Sequence, residues 1–542
     1  MNTKILCLSL CLLSLPLWAQ EESVVRAALY LSGAASEEEI TADWIERLEA
    51  ARIIRVNSPR LKAGTILSDY QVACIQDYRA RSGDILSYEE LALVDGFSRS
   101  FVDAVRPFLS LESTSLPGAV PDSSYVHGTL LGRKTSSAWG FKGKVGGDSW
   151  RVGAARRGST GSFYADVDIS SGRILLGDFH TRWGQGLAAW TGFRMESLSS
   201  VDAFVKRATG MAPVWSYAPE SVHRGVAGEY SFGGIRVAAY AGKGDFGAHA
   251  DYLWRNGQIG LTLSQGKGSV DLKYNLRGTT LAGEVAVGHH RIAALGAIRG
   301  KWADVWKYAF QLRAIPAAFA GKKYGEYGLA SGLSWTADRR VSLYGRTGFG
   351  SSVPALSASL TADAALLPLT GKDPRRFQLR VYGIVQWQMD GVWMLDARFT
   401  ERYRNYEPPR TDVRADVKLA AGPWKGTLRL EADHCAAWGF LSYLEAGYSS
   451  LYLRLTAFSI PAWSARIYCY ERDAPGTFSV PAYNGRGLNV SAYCSTSWMP
   501  FASGAYRFWR RFRIKAYLRA ACQWRVSFRP QAVLNVQLQM DI

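Results

Sequence analysis

The feature that most constrains this chain is an alternation of apolar and polar side chains with a period of two. Between Phe512 and Phe528 every second residue is apolar or small, and the residues between them carry most of the charge. A period of two places neighbouring side chains on opposite faces of a β-strand. The segment is also longer than the ~9–11 residues that a tilted strand needs to cross a bilayer.

The same alternation recurs at 393–402 and at 413–419, and the chain ends inside such a strand, on the apolar Ile542. In a transmembrane barrel the apolar face meets lipid and the polar face lines the lumen. The pattern therefore predicts a set of basic side chains that face the lumen: Arg398, Arg402, Arg414, Arg513, Lys515, Arg519 and Arg525.

Composition agrees with a membrane barrel, although a large soluble β-protein could share the same totals. The chain is 48% hydrophobic, yet after the first residues it has no apolar run of the eighteen or more residues that a membrane helix requires. Only a closed barrel then remains as a way to span a bilayer. We predict an all-β transmembrane antiparallel β-barrel over Tyr125 to Ile542, with an even number of strands and roughly 16–22 of them.

The first residues predict export. Lys4 precedes an apolar stretch that ends at the small residue Ala19, so residues 1–19 are predicted to be a signal peptide cleaved before Gln20. Cys11 follows Leu10 rather than a small residue, which disfavours lipid attachment. We predict an outer-membrane location, with the next part of the chain in the periplasm.

Residues 20–112 are predicted to form a small all-α domain, because three serines begin capping boxes in which a Glu or Gln follows at the third position. These serines are Ser36, Ser68 and Ser87. Residues 113–124, rich in Ser, Pro and Gly, are predicted to be a linker.

The net charge changes sign at the boundary between the predicted helical domain and the linker. From Glu21 to Glu112 there are 10 Lys and Arg against 16 Asp and Glu, a net charge of −6, whereas the rest of the chain beyond Glu112 has 53 against 30, or +23. We expect a basic lumen to attract anions, unless its arginines pair with lumen carboxylates or the charge lies on loops that face lipopolysaccharide.

Several motifs in this helical region carry a resemblance. Ile75 to Arg79, Tyr88 to Leu91 and Val105 to Phe108 resemble the competence-protein type of helix-hairpin-helix domain. Further motifs, such as Trp183 to Leu187 and Phe478 to Pro481, resemble a family of bacterial outer-membrane proteins that join such a domain to a barrel.

The resemblance implies DNA binding through two hairpins that offer backbone N–H groups to phosphate, at Leu67-Ser68-Asp69 and at Gly96-Phe97-Ser98. The sequence departs from the family pattern in both hairpins. The first has no glycine and carries Asp69, and the second has Ser98 in place of its second glycine. An acidic domain also lacks the basic surface that supplies most DNA affinity, so nucleic acid is the disfavoured partner.

No catalytic site, cofactor site or metal site emerges from the sequence. We interpret Asp433-His434 and His289-His290 as neighbours in strands, whose side chains point to opposite faces. The cysteines after the signal peptide are odd in number and widely spaced, which predicts neither a disulfide framework nor a metal site. Gly184-Gln185-Gly186 is interpreted as a barrel turn or an inward bend rather than a functional turn.

Three functions remain open. The leading hypothesis is a non-enzymatic outer-membrane barrel, a channel or assembly protein, whose acidic helical module docks onto a periplasmic partner or onto the basic mouth of the barrel. The alternative is a DNA-uptake component with the barrel as conduit. A hydrolase that uses His434 or His223 lacks support from any motif.

Overall fold

The computed structural model describes residues 19–541 apart from short gaps. The gaps are 35, 41, 52, 59–60, 114–125, 136–137, 148, 170, 193–197, 255, 303–304, 321–324, 338–354, 368–375, 390–391, 476–478, 499–512 and 527–529. The predicted signal peptide, up to residue 18, and nearly all of the predicted linker lie outside the described residues.

The helical segment, residues 19–112, folds around its own apolar core. Its helices are α1 (Ala19–Ser32), α2 (Ala42–Ala50), α3 (Asp69–Ser82), α4 (Tyr88–Leu93) and α5 (Arg99–Val105). Two short parallel strands, Ile54–Arg55 and Leu109–Ser110, pair the middle of the segment with its end. Ile75 and Leu91 are fully buried in this core.

Capping explains where these helices begin. The Ser68 side chain accepts a hydrogen bond from the Gln71 backbone while the Gln71 side chain returns to the Ser68 backbone, so the predicted capping box is present. Ser87 caps α4 by accepting from the Glu90 backbone, but the Glu90 carboxylate accepts from the Leu86 backbone rather than from that of Ser87, so only half of the predicted capping box is formed. The prediction at Ser36 is wrong, because its side chain makes no capping bond and only a 3-10 turn, Glu37–Glu39, follows it.

Within the described residues, 24 antiparallel strands form one closed barrel. They are β1 (His127–Lys134), β2 (Trp139–Gly146), β3 (Trp150–Arg157), β4 (Thr160–Ile169), β5 (Gly172–Arg182), β6 (His223–Phe232), β7 (Ile235–Gly242), β8 (Asp245–Trp254), β9 (Gly257–Ser264), β10 (Lys267–Leu276), β11 (Thr279–Gly288), β12 (Arg291–Trp302), β13 (Trp306–Ile315), β14 (Glu326–Ala337), β15 (Ala355–Leu367), β16 (Arg376–Gln388), β17 (Trp393–Arg404), β18 (Glu407–Ala421), β19 (Trp424–Cys435), β20 (Ala437–Tyr448), β21 (Leu451–Ile460), β22 (Gly485–Trp498), β23 (Arg513–Arg525) and β24 (Gln531–Asp541).

The barrel closes where the sequence predicts, since β24 pairs with β1 along the register Val536↔Lys134 to Asp541↔Thr129. The strand number exceeds the predicted range of 16–22. The reason is turn length, because many strands between β6 and β12 are joined by only two residues and new strands therefore begin every 10 to 12 residues. Short turns fit more strands into the same length of chain.

One such turn corrects an expectation about histidine. His289 and His290 are not in a strand, because they form the two-residue turn between β11 and β12 with φ of 51° and 58°. Two successive left-handed residues are the geometry of a type I′ hairpin turn, which matches the twist of the flanking strands.

Side chains alternate across the wall of the barrel as the period of two predicts. In β19, Leu428 and Leu430 are 43% and 56% exposed on the outside, whereas Arg429 and Glu431 are 2% and 6% exposed on the inside. An apolar outer surface around a closed sheet is the arrangement that spans a lipid bilayer.

The two ends of the barrel are named after the position of the first and last strands. The terminal rim is the end where β1 begins and β24 ends, and the distal rim is the opposite end. Two inner loops connect strands at the distal rim, loop A at residues 183–222 and loop B at residues 461–484. The one further α-helix of the described chain, α6 (Ala317–Ala320), also lies in a distal connection. No described helix is both long and apolar enough to cross a membrane.

Candidate functional site

The helical segment lies inside the barrel and touches its wall on three sides. Glu46 pairs with Lys142 of β2 at 3.0 Å, and Glu38 pairs with Arg414 of β18 at 2.7 Å. Between these sites, the Lys273 ammonium of β10 lies 6.0 Å from the centre of the Tyr70 ring. Since β2, β10 and β18 are each eight strands apart in a barrel of 24, the segment bridges the lumen.

The strongest of these contacts is at the 3-10 turn Glu37–Glu39. The Glu38 carboxylate accepts hydrogen bonds from Arg414 and from Arg429, at 2.7 Å and 2.5 Å, and a guanidinium nitrogen of Arg398 lies 3.9 Å away. Burial by itself raises the pKa of Glu38, but Arg414 and Arg398 outweigh it and lower the pKa to about 2. Burial raises the pKa of the neighbouring Glu37, against the opposing charge of Lys418.

Loop A folds into the lumen and is fastened there through backbone groups. Its Gly-Gln-Gly turn at 184–186 has φ of 59° at Gly184 and 84° at Gly186. This conformation points the backbone N–H groups of Gln185, Leu187 and Ala188 at the Glu284 carboxylate of β11, at 2.7 to 3.1 Å. The turn is therefore an inward bend that anchors loop A, which agrees with the structural interpretation of this motif.

Loop B fills the opposite part of the lumen with two carboxylates. Asp473 accepts from Arg133 of β1 at 3.0 Å and from Arg519 of β23 at 3.3 Å. Glu471 pairs with the same Arg519 and accepts from Asn489 of β22. These side chains are nearly fully buried, so loop B is held across the seam where the barrel closes.

Among the described residues, two large cavities of the lumen are separated by the helical segment. The first, of about 1400 Å³, opens at the terminal rim around His127 and Asp541 and is closed towards the distal rim by loop residues such as Trp215 and Asp473. We call it the pouch. The second, of about 1590 Å³, reaches Arg277 at the terminal rim and Tyr406 at the distal rim. We call it the passage, because it alone of these two cavities extends between both rims.

The two cavities differ in charge. The described residues that line the pouch include eight Lys and Arg and six Asp and Glu. Those that line the passage include twelve Lys and Arg but only four Asp and Glu. The lining therefore has an excess of eight basic residues, and low-dielectric walls focus the positive potential of such a lining into the passage.

The two predicted hairpins are brought together at the wall of the passage. The Gln71 side chain, which caps α3 with Ser68, also donates to the Gly96 backbone carbonyl at 3.0 Å. Gly96 has φ +81°, and an added Cβ would lie 2.9 Å from the Tyr70 ring. Ser68, Gly96, Phe97 and Ser98 line the passage, Leu67 is fully buried in the helical core, and Asp69 is the first residue of α3.

The predicted lumen basic residues lie in three separate places. Arg398 and Arg414 meet at Glu38, and Arg402 is paired in register with Arg410 near the distal rim. The four residues of β23 lie elsewhere. Lys515 pairs with Asp541 at 2.8 Å, and Arg513 is opposite the same Asp541 in register. Arg519 donates to loop B, and Arg525 donates to Gln523.

One histidine cluster has the residue types of a hydrolytic triad. His223 lies between Asp245, at 2.5 Å, and the Thr181 hydroxyl, at 3.1 Å. Thr181 has no exposed surface and borders neither the pouch nor the passage, so no substrate reaches it. His434 instead packs against the Trp438 ring, and the described residues contain no group of three or more metal-ligating side chains.

Sequence reasoning missed the residues that hold the segment in place and most of those that line the passage. The three glutamates of the 3-10 turn were interpreted as a capping box, and Lys273, Arg299 and Arg207 were not singled out. Lys273 carries the alternation signal in β10, where Asp271 and Lys273 share the inner face. Arg207 lies in a loop, which has no comparable signal.

Of the comparisons with known proteins, the one with solved structures gives matches. The chain is similar in fold to OccK5 (OpdH) of Pseudomonas aeruginosa, with 9% identity over 77% of this chain and 96% of that chain and a TM-score of 0.27. A BenF-like porin from Pseudomonas fluorescens Pf-5 gives 6% identity, coverage of 77% and 96%, and a TM-score of 0.28. OprD of Pseudomonas aeruginosa gives 7% identity over 78% of this chain and 94% of that chain, with a TM-score of 0.26. No protein-family model and no curated protein sequence matches the chain.

Fold and site together define a class. The described residues form a closed antiparallel β-barrel of 24 strands with an apolar outer surface, which is the architecture of transmembrane β-barrels. Its lumen holds the N-terminal segment and two inner loops, and the basic passage runs between the rims beside them.

Proposed function

We propose that this protein is an outer-membrane channel for small anions. The helical segment, reached from the periplasmic side, is an internal plug that leaves the passage as the conducting route. The observation that carries the proposal is the passage itself, which reaches both rims and is lined by twelve basic and four acidic residues. Rings of Lys and Arg are the usual basis of anion selectivity in pores.

Reconstitution of the purified full-length protein in planar bilayers tests this function. Under a KCl gradient we expect a reversal potential that reports preference for chloride over potassium. The preference should weaken when salt is raised from about 0.1 M to about 1 M, because the Debye length falls from roughly 10 Å to roughly 3 Å. Cation preference, or no conductance at all, would contradict the proposal.

DNA uptake is a second proposal, supported by the meeting of the two hairpins with the basic passage. It requires phosphate to reach hairpin N–H groups, whereas Ser68 is buried and Gly96 packs against Tyr70 in this arrangement. The helical segment would therefore have to leave the barrel first. A salt-dependent shift of duplex DNA by the full-length protein at ~0.15 M salt would support this role.

A further inference from the structure

Three cations lie together on the wall of the passage, where loop A meets α3, β10 and β12. They are Arg207 of loop A, Lys273 of β10 and Arg299 of β12, and all three line the passage. Lys273 and Arg207 both contact the start of α3, at the Tyr70 ring and at the Gln71 side chain, and Arg299 contacts Asp202 of loop A, five residues before Arg207. We call this group the cation cluster.

No carboxylate of the described residues forms an ion pair with Arg207. It donates to the backbone carbonyl of Ile66 and, at 2.7 Å, to the Gln71 side chain, and both acceptors are uncharged. Its Nε–H has no acceptor among the described residues. Burial lowers the pKa of Arg207 to about 10, and the charge of Arg299 acts in the same direction.

The other members of the cluster are also short of negative charge. Arg299 and Lys307 share one carboxylate, Asp202, at 3.6 Å and 3.2 Å. Within the described chain, Lys273 forms no ion pair, and its ammonium contacts the Tyr70 ring instead. The other acidic side chains that line the passage are Asp95, which is exposed beside the Gly96 hairpin, and Glu326 and Glu407 near the distal rim. Near the cluster, four cations therefore face two of the carboxylates that line the passage.

From this arrangement we propose that Arg207, Lys273 and Arg299 form a binding station for a multiply charged oxyanion, such as a phosphate group, on its way through the passage. The inference rests on the proposed channel function and adds the class of solute. A guanidinium offers two parallel N–H groups that match two oxygens of a phosphate, and an ammonium adds a compact point charge.

The surroundings of the cluster suit brief rather than tight binding. The Phe101 ring lies 4.9 Å from the Arg207 guanidinium and the Tyr70 ring lies beside Lys273, so both cations are partly screened by aromatic faces and remain open to the passage. Conduction needs a site that a solute enters readily and also leaves.

Block of chloride current by inorganic phosphate tests the station. In symmetric KCl, millimolar phosphate should reduce the single-channel current of the full-length protein. In Lys273→Gln the half-blocking phosphate concentration should rise about tenfold, because one charge-assisted contact is lost. Lys267→Gln is the matched control, since Lys267 is on the same strand as Lys273 and lines the same passage at the distal rim, six residues from the cluster.

The outcomes separate the two proposals. A wild-type protein without conductance, or with cation preference, overturns the channel function itself. Chloride-selective conductance that phosphate leaves unchanged, or that phosphate blocks equally in wild type and Lys273→Gln, overturns only the station. Arg207→Gln should repeat the loss of block, and it is the second variant because Arg207 also contacts the helical segment.

Discussion

At the scale of single residues, Glu38 is the most consequential side chain of the helical segment. It is 8% exposed and is surrounded by Arg398, Arg414 and Arg429 from three adjacent strands. The barrel wall also supplies these arginines with carboxylates of its own, since Arg414 and Arg429 both donate to Asp416 and Arg398 pairs with Asp412. Glu38 therefore acts mainly by fixing where the segment sits.

Replacing Glu38 by Gln should weaken the attachment of the helical segment to the wall. The expected loss is on the order of 1–3 kcal/mol, because the charge-assisted hydrogen bonds from Arg414 and Arg429 are weakened while both guanidinium groups keep Asp416. Hydrogen exchange by mass spectrometry should show faster exchange in α1 and α2 than in wild type. Glu89→Gln is the control, because Glu89 is exposed and its exchange pattern should not change. Equal protection in both variants would contradict this role.

The pH at which the segment loosens follows from the pKa of Glu38. Its value of about 2 lies below the ordinary 4.5, so the stabilising charge is fully present above pH 4.5 and is lost as pH falls towards 2. Single-channel conductance should therefore stay constant between pH 7 and pH 4 and rise near pH 2 to 3. A rise that begins near pH 5 would assign the loosening to another carboxylate.

At the scale of elements, capping serines and glycine turns determine where helices start and loops turn inward. Ser68 forms a full capping box and Ser98 caps α5, whereas Ser36 has the same sequence signature and forms no cap. Ser68 and Ser36 differ in their tertiary surroundings. The glutamates after Ser36 form ion pairs with lumen arginines, Glu38 with Arg414 and Glu39 with Arg380, and do not continue into a helix.

Alanine substitutions at the two serines should therefore differ in effect. Ser68→Ala removes an N-cap and should cost about 1 kcal/mol, which corresponds to about fivefold faster hydrogen exchange in α3. Ser36→Ala should be neutral or slightly stabilising, because the Ser36 hydroxyl is buried and has no hydrogen-bond partner among the described residues. The same loss of protection for both variants would argue against this assignment.

At the scale of the whole molecule, an acidic plug of charge −6 sits within a barrel of charge +23. Its contacts on β2, β10 and β18 leave the pouch on one side and the passage on the other. Because loops A and B are fastened to the wall by their own carboxylates and backbone groups, the barrel does not depend on the plug for closure.

Deletion of residues 20–112 should leave a folded barrel with a much larger conductance. We expect the deleted protein to remain heat-modifiable on gels, since all 24 strands and their closing register are retained. Conductance should increase severalfold because pouch and passage merge, and a periplasmic protein that co-purifies through the segment should be lost. Unchanged conductance would show that the segment does not occlude the lumen.

Much of the fold follows from local pattern. The alternation in segments such as β23 predicts strands with an apolar outside, and the apolar C-terminus predicts closure of β24 against β1. The predicted number of strands is too low, because a turn of only two residues, such as His289-His290, gives too short a break in the alternation to mark where one strand ends and the next begins. Site prediction was weaker, since it named basic residues of the lumen and not the ones that line the passage.

The sequence by itself determined that side chains alternate, that the chain builds strands, and that helices begin at Ser68 and Ser87, because each of these depends on neighbours a few residues apart. Only the tertiary structure decided that Glu38 meets arginines more than 350 residues away, that the helical segment divides the lumen, and that one passage keeps an excess of positive charge. Such pairings depend on closure of the whole cylinder, and no local period encodes which inward-facing charges then come together.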